Sequence, residues 1–174
     1  NLDQIDGIDS PLPATSGDGF DPIAIGEAVM QASAVPVHHG GARAYYMPGV
    51  DSITLPDRVR FEKAEDYYAT ALHELTHATK HEHRCDRKRY EHENSKVSYA
   101  FEELVAELGS AFLMAALGIS GEVREHADYL DSWLTLLRQD KRAIFKAAAQ
   151  AQKAANWALD AHAAAASAAD AQTA

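Results

Sequence analysis

The chain has 174 residues, 26 acidic against 16 basic, a formal net charge of -10 and 47% hydrophobic residues. That length fits one domain with a sizeable core. The acidic balance argues against this segment as the main grip on nucleic acid, whose phosphates it would repel. The lone cysteine, Cys85, excludes an intramolecular disulfide framework and fits a reducing compartment. With no apolar run near about 20 residues and no signal peptide, the expectation is a cytoplasmic protein that spans no membrane. The first residue is Asn, which points to a domain cut from a longer protein.

Residues 1–19, rich in Gly, Pro, Asp and Ser, read as a linker or surface arm. Asp21 and Pro22 then have the chemistry of an N-cap and a first helical position, for a helix to about Ala32 with Ile23, Val29 and Met30 inward. Three short strands follow, at Ala34–His38, Arg43–Met47 and Ser52–Leu55, punctuated by Gly40-Gly41, Pro48-Gly49 and Pro56. Their alternation predicts a small antiparallel sheet. Helical pattern returns from about Lys63 through at least Lys80. Residues 81–97 read as a charged loop, and the basic run from Arg84 to Arg89 as solvated. Ser98 is the expected cap of a helix ending at Gly118; further helices are expected over Glu122–Leu137 and, capped by Asp140, from Lys141 to about Leu159. The Ala-rich residues 161–174 read as a poorly packed helical tail.

The chemistry centres on His73-Glu74-Leu75-Thr76-His77, an H-E-x-x-H run inside the second helical stretch. Residues i and i+4 stack on one helix face, so both imidazoles can reach one zinc ion, while Glu74 can hold its water as general base. The alternative is a helix with two surface histidines. Zinc needs a third protein ligand. His83 has the metzincin spacing, but Lys80 stands where that class has the Gly that turns the chain back. His81 lies on the right face yet about 12 Å from His73 along the helix. The better candidate is Glu103 in Phe101-Glu102-Glu103-Leu104-Val105-Ala106-Glu107, with Glu107 one turn on to accept a ligating histidine's free N–H. Glu102 and Glu107 stay open as register alternatives for the ligand. The arrangement resembles that of gluzincins.

The combination of Tyr45-Tyr46, Pro48, Asp51, Ile53 and Pro56 with YYATALHELTHAT, YAFEELVAELGSAFL and HADYLDSWLTLLRQDKRAIFKAAAQAQKAA resembles the zincin-like domain of ArdC-type antirestriction proteins and TraC-like primases of mobile elements. It runs from the N-terminus to about Leu159 and departs from the usual pattern at Ala78 and Lys80, where an aromatic residue and a glycine are typical. The resemblance implies a parent protein with an N-terminal single-strand-DNA-binding domain outside this sequence, and His73, His77 and a Glu of the EELVAE segment as ligands.

The expectation is therefore an α+β, zincin-like fold of gluzincin type, with a small antiparallel sheet and about four main helices in residues 20–160. It would hold Zn2+ through His73, His77 and Glu103, with Glu107 behind them, Glu74 as base, and His126 or Tyr129 as oxyanion donor. A peptide substrate would pair with the Ser52–Leu55 strand. The competing reading is a metal-stabilised binding module without proteolytic activity.

Overall fold

A computed structural model describes residues 19–92, 94–121 and 127–173. The described residues form five α-helices and one three-stranded sheet. Helix α1 (Ala24–Ala32) begins after an extended Ile23, so its start falls two residues past the expected Asp21-Pro22 cap. Gly26 lets it lie flat on Tyr68: a Cβ there would come within 2.5 Å of the ring.

Strands β1 (Val37–His39), β2 (Tyr45–Met47) and β3 (Ser52–Leu55) are ordered β1-β3-β2. The tight turn after Met47 makes β2 and β3 antiparallel, as expected. β1, however, pairs with β3 in parallel, so the sheet is mixed. The stretch from Gly40 carries the chain past β3's place rather than folding back as a hairpin, and β3 then fills the middle in β1's direction. This also corrects the expected docking edge: β3 has a neighbour on each side, and β2 is an outer strand.

Helix α2 (Ala64–Ala78) carries the H-E-x-x-H run and stops two residues before Lys80, where Thr79 closes its last turn through N–H to the Leu75 carbonyl. Helix α3 (Ser95–Leu117) starts earlier than expected, because the Asn94 side chain accepts from the Lys96 N–H at 2.9 Å and Ser98 is buried inside the first turns. Gly118, with φ +66°, ends it as foreseen. Helices α4 (Ala127–Gln139) and α5 (Ala143–Thr173) meet at Asp140, whose Oδ1 accepts from the Arg142 N–H at 2.9 Å.

Two clusters make the core. One joins α1, α2, β3, the end of α3 and the middle of α5 around Tyr68, Ile53, Leu72 and Leu75. The other joins α3, α4 and the start of α5 around Val105 and Leu136. Helix α5 enters the second through Ala143, Ala147 and Ala151 and the first through Ala155 and Ala158, all fully or almost fully buried. These alanines, at spacings of three and four, let α5 approach α3 closely. Past His162 the helix continues to Thr173, and the side chains of residues 163–172 are exposed.

Candidate metal centre

Helices α2 and α3 meet in reverse order along their lengths: Ala69 with Ser110, His73 with Glu107, His77 with Glu102. They can do so closely because Gly109 faces Thr76; a Cβ on Gly109 would come within 2.4 Å of Thr76 Cγ2. Ser110 ties the crossing by donating to the Ala69 carbonyl at 2.9 Å.

That crossing brings three expected residues together. His73 Nε2 lies 3.5 Å from one Glu103 oxygen and His77 Nε2 lies 3.5 Å from the other. Ligand atoms at tetrahedral corners about 2.1 Å from an ion are about 3.4 Å apart, so the donor set fits a divalent cation in size and type. Among the described residues, His73, His77 and Glu103 form the cluster with this spacing, their ligand atoms within 4.8 Å of one another. The outer ring nitrogens are held by carboxylates: His73 Nδ1 by Glu107 Oε2 at 3.2 Å and His77 Nδ1 by Glu102 Oε1 at 3.3 Å. Such partners fix the tautomer and leave Nε2 free to ligate.

Glu107 thus sits where the i,i+4 spacing put it. Glu102, weighed as an alternative ligand, is the partner of His77. Nothing local in the sequence identifies that role, because it depends on Arg87 in the charged loop. The Arg87 Nη2 donates to Glu102 Oε1 at 2.6 Å and to the Thr76 carbonyl at 3.0 Å, and its Nη1 to Thr79 Oγ1 at 2.8 Å. Arg87 is 5% exposed, so the expected solvated basic run is corrected here. Its neighbour Arg84 is bidentate to Asp51 at 2.7 and 2.8 Å. His83, the other candidate ligand, is on an exposed turn beside Glu82. His126 and the Tyr129 side chain lie outside the described residues.

Burial disfavours charge on both imidazoles, yet the surrounding carboxylates outweigh it: Glu103 and Glu107 raise His73 above its ordinary value, and Glu102 with Glu103 raises His77 to about 9. Burial also opposes ionisation of Glu102 and Glu103, but the histidines, and Arg87 for Glu102, hold both well below the usual carboxylate range. Glu74 behaves differently. Burial raises its pKa, only partly offset by His77, His73 and a hydrogen bond from the Tyr46 backbone.

His73, Glu74, His77 and Glu103 open together into a cleft of about 540 Å³. One wall is Tyr45, Tyr46 and Pro48 of β2 and its turn; the other includes Tyr99 and Trp133.

Residues 24–150 match the family described as zincin-like metallopeptidase, MPTase-PolyVal. The chain is 41% identical over 160 residues to a DNA primase TraC of Escherichia coli, covering 91% of this chain and 15% of that protein. It is 40% identical over 162 residues to the uncharacterized protein y4eC of Sinorhizobium fredii, covering 90% of this chain and 51% of that one. It therefore spans about half or less of these relatives. The crystal structure of the antirestriction ArdC protein from the R388 plasmid, Mn(II)-bound, superposes with a TM-score of 0.72 at 41% identity, over 94% of this chain and 60% of that one. Its metal-free form gives a TM-score of 0.73 at 40% identity. With a matched family covering most of its length and a paired-histidine, carboxylate-backed site on the expected helices, the chain belongs to the zincin-like metallopeptidases of the MPTase-PolyVal family.

Proposed function

We propose that this domain is a zinc-dependent metallopeptidase acting within a longer antirestriction or conjugation-related protein. The observation that carries the reading is the shared cleft: the Nε2 faces of His73 and His77, the Glu103 carboxylate and the Glu74 carboxylate all line it beside an outer strand. A divalent cation bound by His73, His77 and Glu103 would supply an acidified water and a polarised carbonyl. Glu107 and Glu102 hold the two ligating rings in place. Glu74, buried and with its proton affinity raised, is suited to take a proton from water and pass it to the leaving amine. The Tyr46 backbone hydrogen bond aims its carboxylate from the β2 side. β2 pairs only with β3 among the described residues, which leaves its other edge to receive an extended peptide. His126 remains the proposed oxyanion donor.

The test is peptide cleavage by the Zn2+-loaded chain and by Glu74→Gln. The reading predicts that Glu74→Gln keeps its metal and loses at least about 100-fold in rate, the scale of general-base catalysis. Full activity in Glu74→Gln contradicts it. The names of the similar proteins, an antirestriction protein and a primase, keep a second reading in play, a metal-stabilised binding module within the parent protein. Bound metal without cleavage of any peptide in a random library favours that second reading.

A further inference from the structure

The site offers three carboxylates, Glu102, Glu103 and Glu107, to two imidazoles, and an ionised carboxylate within reach of a divalent cation tends to bind it. Something must decide which one stays a ligand. Glu102 and Glu103 are consecutive on α3 and both reach the His77 ring, Glu102 at Nδ1 and Glu103 at Nε2, so a change of rotamer would bring Glu102 towards the ligand side. What distinguishes Glu102 is the buried guanidinium behind it. Arg87 reaches both of its oxygens, Nη2 to Oε1 at 2.6 Å and Nε to Oε2 at 3.2 Å. The same guanidinium is anchored to α2 at the Thr76 carbonyl, one residue before His77, and at Thr79 Oγ1. An arginine fork matches a carboxylate in a way that a lysine point charge does not.

We infer that Arg87 is a positioning residue for the metal centre: it holds Glu102 as the partner of His77 and out of the ligand set, leaving Glu103 between the two Nε2 atoms. The inference rests on the metal-site reading and is independent of whether the domain cleaves peptides. Through Arg87, the loop between α2 and α3, which looks like solvated charge in the sequence, controls coordination at the cleft floor.

The test measures Zn2+ affinity by competition with a chromophoric chelator, and the Co2+ absorption spectrum, for the unsubstituted chain, Arg87→Gln, Arg87→Lys, Glu102→Gln and the Arg87→Gln/Glu102→Gln pair. Arg87→Gln and Glu102→Gln should each weaken Zn2+ binding by about 10- to 100-fold, the usual effect of losing such a partner. The double variant should bind no more weakly than Glu102→Gln alone, because one acts through the other. Arg87→Lys should recover part of the affinity. Arg87→Gln should alter the Co2+ bands as a second carboxylate enters the ligand set, a change that a loss of stability alone does not produce. Losses that multiply in the double variant, or an Arg87→Gln protein with unchanged affinity and spectrum, overturn the inference. If Arg87→Gln does not fold, Glu102→Gln decides alone, and unchanged affinity and spectrum there overturn it. Failure of the unsubstituted chain to bind Zn2+ overturns this inference and the site together, whereas Zn2+ binding without peptidase activity leaves it standing.

Discussion

At the scale of single residues, two arginines of one loop tie the walls of the cleft. Arg87 grips the α3 side, and Arg84 grips Asp51 at the foot of β2, where Tyr46 Oη also donates to Asp51 at 2.7 Å. The bidentate guanidinium holds the Asp51 pKa near about 2, against an ordinary 3.8. A folded-state pKa below the unfolded one gives stability that is present above pH 3.8 and is lost as pH falls towards 2. Asp51→Asn keeps the side-chain shape and suits the positive φ of 50° at this position. It should therefore unfold more easily than the parent at pH 5. The gap should be at most about 1 kcal/mol, since Asp51 is more than a third exposed and water and salt screen the pair. Thermal melts from pH 5 to 2 should show that gap closing; a gap that stays constant contradicts the ion-pair account.

At the scale of elements, the site exists because α2 and α3 cross closely. Gly109→Ala places a methyl against Thr76, which must move or push the helices apart. The expected cost is about 1–3 kcal/mol, with weaker metal binding because Glu103 is drawn back from the imidazoles. Thr76→Ala in the same chain removes the obstructing atoms and should restore much of both. Chemical denaturation and Zn2+ titration of the single and double variants check this, and a Gly109→Ala protein with parental stability and affinity contradicts it. The spacing of His73, His77, Glu103 and Glu107 was legible in the sequence, because helical period is a local property. The role of Glu102 as the partner of His77 was not. It depends on how two distant helices cross and on an arginine from an aperiodic loop. The sheet shows the same limit: β3 was read with its exact bounds, but strand order depends on where the chain goes after Gly40, and no local pattern carries that.

At the scale of the molecule, α5 links the two core clusters through its alanine face. The packed part stops near Ala158, and the side chains of residues 163–172 are exposed. Deleting residues 163–174 should change stability by less than about 0.5 kcal/mol, whereas Ala151→Leu, inside the cluster that α5 shares with α3, should overpack it at about 1–3 kcal/mol. Denaturant midpoints for the two variants check the contrast, and equal losses contradict it. The fold as a whole serves to hold two antiparallel helices at one separation beneath an outer strand, so that two imidazoles and one carboxylate converge in a cleft. The central claim is that His73, His77 and Glu103 hold one divalent cation. Elemental analysis of protein never exposed to chelator, beside His73→Ala prepared in the same way, tests it most directly. The account predicts one transition-metal ion per chain in the parent and almost none in His73→Ala; equal metal in both would contradict it.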